Sequence, residues 1–451
     1  MTTTDQPQPS SANATPEATR APGNGDRPRT PVLADEPEQS PAATRASNAQ
    51  PALGKPKVAL LRGAYLSQFE MQTYEKMLPQ IDLEAWLLTI NRFPVDLLKV
   101  PYRRILSIDE PFARMSGKLG FYFNLFLQAT CGLDYLHLGL VNKLRDTDIV
   151  HTMETFNAFS HQGLQAKRKH GCKLVTTCWE NRPFAAERFA AKRRMKYEVL
   201  READLHIAIT ERARQCLLAE GADADKVKVI PAGIDTERFH PVGDDPAEQQ
   251  ARLALREKLG VGPDDTMVLS VAALRWEKGI HDLIHAVKRL SLDAEMKHAP
   301  IKLVLAGSGP DRENLIALAE RIGVGDRVVF TRFDYDEIPH AYRAADFFAL
   351  ASTARPGWLE QFGYVLPEAM ASGLPVVATE SGSIPEVVGD VGLIVPPSDF
   401  LGMATAFKRL VLDPELREDL GHFARAFAER RYDGRVVAER IAQEYHALME
   451  R

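Results

Sequence analysis

The sequence predicts an α/β protein made of two doubly wound, parallel-sheet domains, on three observations. The chain has 451 residues, more than one ordinary hydrophobic core organises. Short apolar runs alternate with longer amphipathic stretches, the pattern of parallel strands joined by crossover helices. The same alternation begins again in the second half, from residues 266–271. Charged residues make up 26% and hydrophobic residues 45%, as in a globular protein. A net charge of −5 argues against general affinity for nucleic acid. Four cysteines, Cys131, Cys172, Cys178 and Cys216, form no Cys-x-x-Cys pair and read as free thiols of a reducing compartment. The N-terminus lacks a basic-then-apolar export signal, so a cytoplasmic protein is expected.

Residues 1–54 are rich in Pro, Ser, Thr, Ala and Gln, and the first aromatic residue is Tyr65. Such a segment buries too little apolar surface to offset its ordering entropy, so a disordered tail is expected. Residues 57–62 read as a buried strand with Gly63 at its carboxyl end. Further strands are expected at 83–89, 104–108, 148–151, 173–177, 205–209 and 227–230, with helices between several of them. These make a first domain over residues 55–232. In the second domain, residues 233–432, strands are expected at 266–271, 301–306, 327–330, 346–350 and 375–378. A helix over 281–290 carries Leu283, Ile284, Val287 and Leu290 on one face. From Gly434 a last helix places Val437, Ile441, Tyr445 and Leu448 at spacings of four, four and three, and residues 433–451 form a closing segment.

Two stretches of the first domain stand apart. Residues 119–133 carry no charge and include Phe121, Phe123 and Phe126. The run is too short to span a bilayer; it reads as core helix, with an interfacial segment as the second reading. Residues 182–203 hold seven basic and three acidic side chains, so they form either a solvated helix face or a patch for an anionic lipid or acceptor.

The chemistry concentrates in two loops. Glu360 and Glu368 bracket a glycine-containing loop that leads into a short helix with Pro367 in its first turn. Carboxylates suit sugar hydroxyls, since they accept several hydrogen bonds, and a helix start favours phosphate. Arg275 and Lys278 stand three positions apart after a strand, where two cations neutralise a diphosphate leaving group as charge builds in the transition state. With fixed cations no metal ion is required. The sequence argues against a dehydrogenase, since no Gly-x-Gly-x-x-Gly follows the first strand.

The register Glu360-x-Phe362-Gly363 to Glu368-Ala-Met-Ala-x-Gly373-x-Pro375-Val-Val-Ala-Thr resembles the Glu-x7-Glu signature of the retaining GT-B glycosyltransferases of family 4. The stretch Val229-Ile-Pro-Ala-Gly-Ile-Asp235 to Phe239-His-Pro241 resembles that family's linker strand, with Ala232 where the family often has Asn. The resemblance implies two Rossmann-like domains facing a central cleft, with the last helix crossing back to the first domain. It implies transfer of a sugar from a nucleotide-diphosphate sugar, used as donor substrate with no cofactor, to a glycan or lipid-linked acceptor of the cell envelope; in their second readings, the aromatic run and the basic stretch of the first domain add peripheral contact with an anionic membrane at its inner face. Glu368 would then take the ribose hydroxyls and Glu360 the sugar hydroxyls. Phe362, Gly363, Tyr364 and Val365 would line the phosphates, Gly307 and Gly309 would flank the nucleotide, and Gly63 would admit the donor. The family commonly places a His after a strand of the first domain, where this chain has Trp179. Glu180 or Asn181 would then supply the polar group there, with His151, Glu154 and His161 as further candidates. A sugar-nucleotide epimerase of similar fold and a binding protein without catalysis are the alternatives.

Overall fold

The computed structural model describes residues 54–107, 126 and 136–451. The expected tail lies outside these residues apart from Gly54. The apolar run 119–133 lies outside them too, apart from Phe126, whose side chain is exposed.

Val58, Ala59, Leu60 and Leu61 are all buried, as a strand needs when helices cover both faces of a parallel sheet. They belong to β1 (Lys57–Gly63), followed by β2 (Asp82–Leu88), β3 (Tyr102–Ile105), β4 (Ile149–Met153), β5 (Lys173–Cys178), β6 (Leu205–Ala208) and β7 (Val227–Val229). These seven strands form one sheet in the order β3-β2-β1-β4-β5-β6-β7, and every pairing is parallel.

The second sheet holds β8 (Thr266–Val271), β9 (Ile301–Ala306), β10 (Val328–Thr331), β11 (Phe347–Leu350), β12 (Val376–Thr379) and β13 (Leu393–Val395). Its order is β10-β9-β8-β11-β12-β13, again all parallel. The sequence reading missed β13, which has only three residues, two of them half-buried, so it gives no apolar run. Each sheet reverses its strand order once, between β1 and β4 and between β8 and β11. Open α/β sheets bind ligands beyond the carboxyl ends of the strands at such points. The loops after β1, β4, β8 and β11 are therefore where a site is to be sought.

The chain passes between the sheets twice, and the two crossings touch. Ile234 N–H donates to Tyr432 O at 2.8 Å, and Gly434 N–H donates to Ile234 O at 2.7 Å. A Cβ on Gly233 would lie 2.9 Å from the Gly434 Cα, so this close approach needs glycine. After the second crossing, the helix Gly434–Met449 returns to the first sheet. Val437, Ile441, Tyr445 and Leu448 are buried in one cluster with Val58, Leu60, Met71 and Leu83.

Candidate active site

The second sheet builds its half of the site from close-packed glycine turns. The loop after β8 is held by the turn after β9: Leu274 N–H donates to Ser308 O at 2.9 Å and Trp276 N–H to Asp311 Oδ2 at 2.7 Å. A Cβ on Gly307 or Gly309 would sit 1.9 Å from Ala272 O or 2.2 Å from Leu274 O, so both must be glycine for the loop to lie there. Gly279 then turns with φ 62° into the helix Ile280–Ser291. This leaves Lys278 at the mouth of the β8–β11 gap.

Lys278 Nζ lies 2.6 Å from Glu360 Oε2, and Ser352 Oγ donates to the same oxygen at 2.7 Å. Glu360 is 7% exposed, so its charge is balanced by one ammonium in a largely dry setting. The Trp358 ring lies 5.0 Å from Lys278 Nζ and adds a cation–π contact. Arg275 points to solvent and pairs with Glu277 at 3.4 Å, while Arg355 reaches the other oxygen of Glu277 at 3.1 Å. The two predicted cations thus differ: Lys278 is already paired, and Arg275 is exposed and weakly held.

Gly363 turns with φ 75° between Glu360 and the helix Val365–Ala371. Phe362 is buried against Trp179, Tyr364 and Tyr432. Glu368, at 3% exposure, accepts from Tyr342 Oη at 2.8 Å. Burial pushes its carboxyl up to about 7, against the pull of that hydrogen bond and of Arg238. Of the two glutamates of the motif, one is therefore paired with a cation and the other is protonated near neutrality.

The first sheet contributes the loop after β5. Asn181 Nδ2 donates to Glu360 O at 2.7 Å and to Ser383 Oγ at 3.1 Å. Arg182 Nη1 donates to Gly357 O. Trp179 packs on Tyr364 at 5.5 Å and lines a cavity of about 20 Å³ with Glu70, Thr177 and Tyr364. Glu180 is taken up by Arg182 in two hydrogen bonds of 2.8 Å. Glu154 follows β4 with φ 61°, and its Oε1 accepts from Trp179 N–H at 2.8 Å and Glu180 N–H at 3.0 Å. Burial pushes this carboxyl up to about 8 despite those two bonds.

The other histidine candidates lie elsewhere. His151 is fully buried between Tyr445 Oη at 2.5 Å and Thr177 Oγ1 at 2.6 Å; burial first, then the Arg62 charge, hold it neutral. His161 pairs with Glu198 at 3.2 Å. Gly63 has φ 57°, and a Cβ there would meet the Phe159 ring at 2.7 Å, so backbone turn and helix packing both favour glycine there. Sequence reasoning missed Ser352, Ser383, Tyr342 and Glu386. Glu386 accepts at 2.6 Å from Glu211 N–H, at the start of the helix Glu211–Ala219 of the first sheet. Only its place after a glycine turn hinted at a role.

Comparison with known proteins extends this picture. A family model for glycosyl transferases group 1 matches residues 251–427, and one for glycosyltransferase family 4 matches residues 114–238. The GDP-mannose-dependent alpha-(1-6)-phosphatidylinositol monomannoside mannosyltransferase of Mycolicibacterium smegmatis is 32% identical over 247 residues, covering 54% of this chain and 62% of that protein. The D-inositol 3-phosphate glycosyltransferase of Corynebacterium jeikeium is 35% identical over 268 residues, 57% of this chain and 61% of its own length. The chain thus spans less than two thirds of each of these relatives. The crystal structure of Anabaena HepE in complex with UDP superposes with a TM-score of 0.67 at 22% identity, covering 87% of this chain and 100% of that one. One family model covers the sheet that carries Lys278 and Glu360, and the other reaches the strand ends that carry Glu154 and Asn181. Both halves point the same way, and the chain belongs to the group 1, family 4 glycosyltransferases, with the GT-B fold.

Proposed function

We propose that this protein transfers a sugar from a nucleotide-diphosphate sugar to an acceptor hydroxyl, with retention at the anomeric carbon and without a metal ion. The observation that carries the reading is the Lys278–Glu360 pair at 2.6 Å, one cation and one hydroxyl acceptor fixed together at a strand switch point. In this reading the donor diphosphate takes over the Lys278 ammonium, and Arg275 swings in from solvent to share the charge. Glu360, released from Lys278, accepts from the hydroxyls of the donor sugar. Negative charge developing on the leaving phosphate then meets cations already in place, which stabilises the transition state more than the ground state. Glu368 in its carboxylate form would take the two ribose hydroxyls, a pair that one carboxylate group can hold.

The acceptor is a glycan or a lipid-linked sugar. Support comes from a relative whose name specifies a phosphatidylinositol monomannoside; another relative is named for D-inositol 3-phosphate, so a small soluble acceptor belongs in the test as well. For the donor, structural neighbours are complexes with UDP and UDP-glucose, and one relative is named as GDP-mannose-dependent, so the test must span both bases. Work at the inner face of a membrane, through the basic surface of the first domain, belongs to the same proposal.

The test is release of nucleoside diphosphate from UDP-, GDP- and ADP-sugars, with and without lipid-linked or small soluble acceptors, in excess chelator. The expected result is turnover with one donor that chelator leaves intact. Lys278→Ala should lower kcat by roughly a hundredfold, the scale of losing one transition-state charge contact, and Arg275→Ala should act in the same direction. Wild-type rates in both variants, or activity restored only by magnesium or manganese, would overturn the assignment.

A further inference from the structure

Glu360 is held twice, and from two different sheets. Its carboxylate is fixed within the second domain by Lys278 and Ser352. Its backbone carbonyl accepts from Ser383 N–H at 3.0 Å, which is also in the second domain, and from Asn181 Nδ2 at 2.7 Å, which is in the first. The second donor bridges residues 179 apart in sequence. Asn181 Nδ2 also reaches Ser383 Oγ, which in turn contacts Thr210 Oγ1 at 3.2 Å. One amide group therefore joins the first domain to the residue that carries the donor-side carboxylate.

The loop bearing Asn181 is itself braced. Glu154 adopts the left-handed backbone at φ 61°, a conformation that a non-glycine residue holds only when its surroundings demand it. In that position its carboxyl gathers the N–H groups of Trp179 and Glu180, the two residues just before Asn181. The brace fixes the backbone that leads into Asn181. Asn181 is 1% exposed, and among the described residues its Oδ1 is buried without a hydrogen-bond partner. A buried acceptor left unpaired is unfavourable, and water would satisfy it once the domains part. The closed contact thus carries a built-in penalty, set against the two hydrogen bonds that the Asn181 amide donates.

We propose that Asn181 is a positioning residue that makes the orientation of Glu360 depend on closure of the two domains. With the domains together, the Asn181 bond fixes the Glu360 backbone and so aims its carboxylate. With the domains apart, Glu360 keeps Lys278 but loses that alignment, while the nucleotide contacts of the second domain are unaffected. A donor held in the open form is then poorly oriented for transfer and is protected from wasteful reaction with water. The inference rests on the transferase reading for its kinetic arm alone.

Two variants test it: Asn181→Ala, and the isosteric Asn181→Asp, which replaces the donor facing Glu360 O by an acceptor. Hydrogen exchange of the backbone amides of residues 357–364, in ligand-free protein, should quicken by about tenfold or more, the scale of one lost hydrogen bond. Equilibrium Kd values for UDP and GDP should stay within about twofold, while kcat for transfer falls by about tenfold or more in the alanine variant and further in the aspartate variant. A structural role alone would lower nucleotide affinity and melting temperature together with kcat, and that outcome overturns the proposal. Unchanged exchange in both variants overturns it too, with or without activity. Wild-type protein that consumes no nucleotide sugar would refute the transferase reading instead, and the exchange measurement would still decide the role of Asn181.

Discussion

Glu368 is protonated near neutral pH because burial outweighs its bond to Tyr342, and this gives donor binding a sign with respect to pH. If the carboxylate is the form that holds the ribose diol, binding is weak below about 7 and strengthens as pH rises through that value. KM for the donor should therefore fall between pH 6 and 8, and Glu368→Gln should flatten the profile. A profile that is flat in the wild type, or as steep in the variant, would refute the role. The residues of this half of the site were legible in the sequence for a physical reason. Arg275, Lys278, Glu360 and Gly363 lie on short loops and Glu368 in the short helix that follows, where glycine punctuation and strand ends fix their surroundings locally. The partners that complete them were not legible. Ser352 reaches Glu360 because β11 ends beside that loop, and Asn181 does so only because two sheets meet. No local pattern reports either contact.

At the scale of elements, the helix Gly434–Met449 shows how far periodicity goes. Its apolar spacing predicts one buried face, and Val437, Ile441, Tyr445 and Leu448 are that face. The spacing itself is silent on which sheet receives it. Ile441→Ala should lower stability by about 2–5 kcal/mol, the range for truncating a buried aliphatic side chain, measured by denaturant unfolding at constant slope. A loss below about 0.5 kcal/mol, typical of surface positions, would show the helix is not part of the core. The helix Ala190–Glu202 corrects the sequence reading instead. Residues 182–203 look uniformly basic, yet Lys196 is 1% exposed and bonded to Glu187 at 3.0 Å and Glu220 at 2.7 Å. Lys196 is therefore an internal tie, reversal of its charge would leave two carboxylates unbalanced, and only Arg188, Arg193, Arg194 and Arg201 of that stretch are exposed arginines. Composition counts charges; it does not tell which of them a fold turns inward.

For the whole molecule, no helix of the described residues is long and apolar enough to cross a membrane, and the basic side chains of the proposed membrane contact include the exposed Arg193 and Arg194. Exposed basic residues near an anionic leaflet contribute about 1 kcal/mol each, and salt screens that attraction. Co-sedimentation with anionic vesicles should appear at low salt and fade with added salt. It should drop when Arg193 and Arg194 are changed to Glu, with Lys196 left in place. Equal binding to neutral vesicles would refute the electrostatic contact, and no binding to anionic ones at low salt would favour a soluble acceptor. The paired crossings at Ile234 and Asp433 also bear on how the molecule is made. The first sheet is translated early, but the helix that seals one of its faces is encoded last among its parts, after the entire second sheet. A ribosome must therefore complete the second sheet before the first can close. A nascent chain released before residue 434 would carry an open apolar sheet face, the kind of surface that chaperones and proteases recognise. The helix Gly434–Met449 thus decides whether the first sheet keeps an open apolar face or a sealed one.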